Sequence, residues 1–102
     1  METEEFKHLP ESIQSLLRYG IRLVNPRKVI LFGSRARGDH RENSDYDVVF
    51  KSLRTPEAWT NFMVDSDERA FTLLKVDLLN YEKCPLDYKQ NIDSEGKLLY
   101  EI

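Results

Sequence analysis

From Glu11 to Val24, the residues Ile13, Leu16, Leu17, Gly20 and Val24 recur at helical spacing, which predicts an amphipathic helix covering one face of a sheet. Pro10 is tolerated in its first turn, and Asn25-Pro26 ends it. Arg27-Lys28 then lead into Val29, Ile30, Leu31 and Phe32. Four apolar residues are too few for a helix but suit a buried strand, and Gly33-Ser34 cuts them off abruptly. The stretch from Ser34 to Gly38 predicts a short helix or turn whose first backbone amides face the strand end, a place suited to an anion. After a polar loop from Asp39 to Asn43, Ser44-Asp45-Tyr46-Asp47-Val48-Val49-Phe50 reads as a second strand.

Thr55-Pro56-Glu57 predicts a helix start, with Thr55 as N-cap, proline at the first helical position and an acid in the first turn. Ala58, Trp59, Phe62 and Met63 supply its buried face, and Asp65-Ser66-Asp67 predicts a break or bend. A third strand is expected over Leu73 to Leu79. Beyond Pro85 a short helix is expected to Ile92, then a turn over Asp93 to Gly96 and an extended end over Lys97 to Ile102. Helices interleaved with strands give an α/β or α+β class, with a small mixed sheet flanked by helices.

A chain of 102 residues is expected to make one domain, residues 1–102, with a modest core and without a second substrate-binding domain. With 32% charged residues and only short apolar runs, it is expected to be soluble, and no membrane span is predicted. The acidic start Met1-Glu2-Thr3-Glu4-Glu5 is unlike a signal peptide, and the single Cys84 forms no internal disulfide, so a cytoplasmic location is expected. A net charge of −3 argues against general nucleic-acid binding. It is compatible with an acidic cluster that holds a divalent cation.

The candidate chemistry lies between residues 33 and 77. Gly33 lets a phosphate approach the backbone, and Ser34 offers a hydroxyl and an amide. Asp45 and Asp47, two apart in a strand, point to one face and can share a cation. Asp77, flanked by Val76, Leu78 and Leu79, is expensive to bury without a partner. The competing reading puts it on an edge strand facing water. Arg35 and Arg37 are candidate phosphate braces, although a short helix turns them in different directions, and a surface or partner-facing role for Arg35 is the rival reading. His8 and His40 lack metal-ligand spacing. The GxxxxG of Gly33 to Gly38 is followed by Asp39 where a Walker loop needs Lys, so a P-loop ATPase is not supported.

Gly33-Ser34, Ala36-Arg37-Gly38, Ser44-Asp45-Tyr46-Asp47 and the later Asp77 together resemble the signature of the polymerase-β-type nucleotidyltransferases, most closely their minimal, single-domain bacterial members. The resemblance implies that Asp45 and Asp47 bridge two magnesium ions, with Asp77 on the attacking side. It also implies that Gly33 and Ser34 contact the phosphates of ATP and favours Arg37 over Arg35 as a further contact. It further implies transfer of AMP from ATP to a hydroxyl, and a small helical HEPN-type toxin as partner, for which the chain is the antitoxin in a hetero-oligomer or as a homodimer. Because so small a domain has little surface left to enclose an acceptor, a folded protein is the expected second substrate. A tyrosine, with a hydroxyl pKa near 10, is the expected nucleophile. The alternatives are an antitoxin that masks its partner without catalysis and a small-molecule enzyme of the aminoglycoside-modifying type.

Overall fold

The computed structural model describes all residues from Met1 to Ile102. Five helices and four strands follow in the order α1 (Glu4–Lys7), α2 (Glu11–Val24), β1 (Pro26–Phe32), α3 (Ser34–Arg37), β2 (Tyr46–Leu53), α4 (Trp59–Glu68), β3 (Val76–Asn80), α5 (Leu86–Glu95) and β4 (Lys97–Glu101). The sheet has the order β3-β2-β1-β4. β1 is antiparallel to both β2 and β4, whereas β2 and β3 run parallel, so the sheet is mixed as expected. The sequence patterns explain most of these elements. Ile13, Leu16, Leu17, Gly20 and Val24 are the buried residues of α2, and Asn25, in the left-handed conformation, ends the helix and turns the chain into β1.

The core lies where α2 and α4 cover one face of the sheet. Val29 and Leu31 of β1, Val48 and Phe50 of β2, and Phe62 of α4 are buried there with Leu16 and Leu17. Phe62 packs edge-on to Trp59, and its ring centroid lies 5.3 Å from that of Phe50. Gly20 makes this fit possible, because a Cβ at that position would run into the Phe62 ring. Trp59 and Met63 are partly buried against the same core.

Several boundaries differ from the sequence expectations. The polar start contains α1, a single turn too short for a periodic signal. It is capped by the Thr3 hydroxyl and buries Phe6 completely. Residues 56–58 form a 3₁₀ turn and α4 proper begins at Trp59, while the Thr55 hydroxyl accepts from Asn25 Nδ2 (3.1 Å) instead of capping the helix. No break occurs at Asp65-Ser66-Asp67. Tyr19 of α2 donates to the Asp65 carboxylate, and the Ser66 hydroxyl donates back to the Met63 carbonyl at 2.8 Å, so these polar groups find partners while the helix continues. β3 is shorter than expected, beginning at Val76, and Leu73 and Leu74 lie outside it and are exposed. Helix α5 runs through the predicted turn to Glu95, and Gly96 follows it.

Candidate active site

The site forms where three segments meet at one end of the sheet: the end of β1, the start of β2 and the start of β3. Phe32 pairs with Asp47, and Asp47 pairs with Asp77 across the parallel strands. Register partners in neighbouring strands project to the same face, so Asp47 and Asp77 are brought together by backbone pairing alone. At the end of β1 the chain turns at Gly33, whose φ of 77° favours glycine and whose missing side chain leaves space for the Asp47 carboxylate. Gly33 also starts α3. Its carbonyl accepts from the amides of Ala36 and Arg37, and buried Ala36 pins the turn to the core.

The electrostatics follow from this crowding. Burial pushes the Asp47 carboxyl up to about 6, and the charge of Asp77, a hydrogen bond with Asp77 and the charge of Asp45 push in the same direction, opposed by Arg37. Asp45 stands just before β2 instead of inside the strand, partly exposed. It acts on Asp47 through its charge, and no three Asp, Glu, His or Cys side chains converge tightly enough to hold an ion by themselves. Asp77 corrects one expectation. It is exposed on the outer strand β3, on the face opposite buried Leu78, so burial cost does not explain its presence in an apolar stretch. What marks it is its register with Asp47.

A family model described as Polymerase beta, Nucleotidyltransferase matches residues 11–102. The chain belongs to this nucleotidyltransferase family. Among solved structures it is similar to a mutant of the MntA-HpeT toxin–antitoxin, at 26% identity and a TM-score of 0.62, covering 93% of this chain and 75% of that chain. It is also similar to a toxin–antitoxin with AMP-PNP, at 24% identity and a TM-score of 0.61, covering 90% of this chain and 73% of that one. No curated protein matches the chain significantly.

Around the acidic pair, the nucleotidyltransferase arranges its two arginines differently. Arg35 is a brace within the protein. Its guanidinium donates to the carbonyls of Glu42 and Ser44 and stacks over Tyr46 at 4.2 Å, tying the 39–45 loop to the start of β2. Arg37 is exposed and bridges Asp39 (3.2 Å) and Glu95 (3.1 Å), close enough to Asp47 to lower its pKa. His8 and His40 are exposed and outside the site. A cavity of about 430 Å³ opens beside Asp47 and Asp77, and its other walls include Phe32, Met63, Asp67 and Tyr88. Sequence reasoning assigned no role at the site to these four. Met63 was legible only as a core residue, and the tilted Phe32–Tyr88 contact (6.1 Å) joins segments more than fifty residues apart.

Proposed function

We propose that this nucleotidyltransferase transfers AMP from ATP to a tyrosine hydroxyl of a HEPN-type helical partner and thereby acts as its antitoxin. The observation that carries the catalytic part is the Asp47–Asp77 register pair, set against the side-chain-free Gly33 at the start of α3. Support for ATP as the donor comes from the similar structure that contains AMP-PNP, and support for a toxin partner from the toxin–antitoxin nature of both similar structures.

The residues fit magnesium. All the donors are carboxylate oxygens, which suit a hard cation, and the charge crowding around Asp47 is of the kind a divalent ion relieves. Magnesium is commonly held by one or two carboxylates together with substrate phosphates, so a preformed cage of three side chains is not required. Asp45, Asp47 and Asp77 would hold two ions, with Asp77 on the side of the incoming hydroxyl. When bound, such a pair neutralises charge on the attacking and leaving oxygens of an in-line displacement.

The protein's own groups then have distinct tasks. Gly33 keeps the turn free of a side chain, so that the Asp47 carboxylate sits against it beside the triphosphate, and Ser34 offers its hydroxyl and amide to the β- and γ-phosphates. Arg37 exchanges one of its carboxylate partners for a phosphate oxygen. Asp77, exposed at the edge of the sheet, is accessible to an acceptor hydroxyl and takes its proton as the oxygen bonds to the α-phosphorus and pyrophosphate leaves. The modified partner gains bulk and negative charge at the tyrosine.

The test is incubation of the chain and its purified HEPN-type partner with ATP and magnesium, followed by intact-mass measurement of the partner. Mass increments of AMP that vanish with Asp47→Asn are expected. A silenced partner of unchanged mass would replace modification by masking.

A further inference from the structure

The outer side of β3 is a sheet edge without a strand partner, running past Asp77. β3 pairs with β2 alone. The Tyr46 amide donates to the Lys75 carbonyl (2.9 Å), so by the alternation of a parallel ladder Lys75, Asp77 and Leu79 turn their backbone groups toward β2. Val76, Leu78 and Asn80 therefore turn N–H and C=O outward, and of these the Asn80 carbonyl already accepts from the Cys84 thiol (3.4 Å).

Three cavities lie in succession along this edge. One of about 260 Å³ touches Leu74, Val76 and Leu78. The cavity of about 430 Å³ beside the acidic pair touches Val76 to Leu79, and one of about 210 Å³ touches Leu78 to Asn80 and Pro85. Each shares strand residues with the next, Asp67 lines the first two, and Tyr88 lines the last two. Together they make one groove, walled by α2 and α4 at its first cavity and by α4 and α5 at the other two, with Leu74 and Tyr88 left 43% and 45% exposed.

We propose that this groove binds an extended segment of the protein acceptor, which adds to β3 as a further strand and presents its tyrosine hydroxyl beside Asp77. This rests on the acceptor reading given above. The outward groups of Val76 and Leu78 and the N–H of Asn80 supply main-chain bonds, and the cavities receive alternate side chains of the segment, as in strand-addition complexes. Asp67 takes part in none of the protein's ion pairs, so the segment carries a Lys or Arg opposite it. A second copy of the chain is a poor occupant. Pairing β3 with itself about a two-fold axis would bring Asp67 and Asp77 of one copy toward the same acids of the other.

The probe is a pool of capped synthetic peptides with one central tyrosine and randomised flanks, incubated with the full chain, ATP and magnesium and read by mass. Modified peptides should favour apolar residues at alternate positions and one basic residue. Val76→Pro removes an outward N–H without touching a bond to β2, so transfer to peptides should fall by about tenfold or more while binding of ATP with magnesium is retained. Asp67→Lys, at an exposed position that leaves the fold intact, should switch the preferred flanking residue from basic to acidic. Phenylalanine versions of the selected peptides should slow hydrogen exchange at the amides of Val76, Leu78 and Asn80.

Selection without alternation, an Asp67→Lys preference identical to wild type, or unchanged exchange at these three amides would overturn the proposal. So would protection of the same amides in a peptide-free dimer. A chain that binds ATP with magnesium yet modifies no peptide sinks the groove proposal and leaves the nucleotide reading standing. A chain that binds no ATP sinks both.

Discussion

Asp47 concentrates the tension of the site. Its carboxyl titrates near 6 in the folded chain against an ordinary value of 3.8, chiefly because it is partly buried and then because Asp77 and Asp45 are near. The folded state therefore binds the proton more tightly than the unfolded state does. The penalty for ionising Asp47 is absent below pH 3.8, grows as pH rises between these two values and is complete above about 6. With solvent screening allowed for, it is worth on the order of 1 kcal/mol at neutral pH. Asp47→Asn should accordingly melt higher than wild type at pH 7.5 in EDTA, and the gap should close near pH 4. Thermal melts of the two proteins at both pH values check this, and a variant that melts lower at pH 7.5 would make Asp47 a structural residue.

Between elements, α2 fits tightly on α4. Gly20 has an ordinary helical backbone, so what reserves the position for glycine is the Phe62 ring packed against it. Alanine favours a helix over glycine by roughly 1 kcal/mol, whereas an extra methyl in a filled core costs about 1–3 kcal/mol. Because Phe62 is wholly buried and also packs on Phe50 and Trp59, the ring has little room to yield and the second effect wins. Gly20→Ala should lower stability in a urea melt by about 1 kcal/mol. An unchanged or raised midpoint would mean that the ring shifts freely.

Across the whole molecule, the two ends of the chain close the sheet on the side away from the acidic pair. β4 pairs with β1, the Thr3 amide donates to the Leu99 carbonyl, and Glu2 bridges to Tyr100. Leu99 is completely buried in the core beside Phe6. Truncation there removes apolar contacts shared by α1, β1 and β4, so Leu99→Ala should cost about 2–5 kcal/mol, a large part of the margin of a small domain. The measurement is a denaturant titration. A loss below 1 kcal/mol, about the cost of a surface change, would show that the terminal strand contributes little to the core.

The fold class, the amphipathic α2 and the apolar β1 ending at Gly33 were legible in the sequence, because periodicity and chain-breaking residues act over a few neighbours. The same holds for the approach of a glycine turn and an acidic strand, since a ten-residue connection at one strand end leaves few ways to fold. Tertiary structure decided which acids face each other. Asp45 and Asp47 are neighbours in sequence, yet the pair aligned by register is Asp47 and Asp77, because parallel pairing of β2 and β3 joins residues thirty apart. It also decided the character of three residues whose types are ambiguous in one dimension. Asp77 is exposed because it lies on the face of the outermost strand opposite buried Leu78, and Arg35 is a loop brace because Tyr46 and two carbonyls lie within its reach. Gly33 matters to the fold itself, because its positive φ and the adjoining Asp47 carboxylate both exclude a side chain. Local patterns specify elements, whereas burial, register and edges depend on how those elements are assembled.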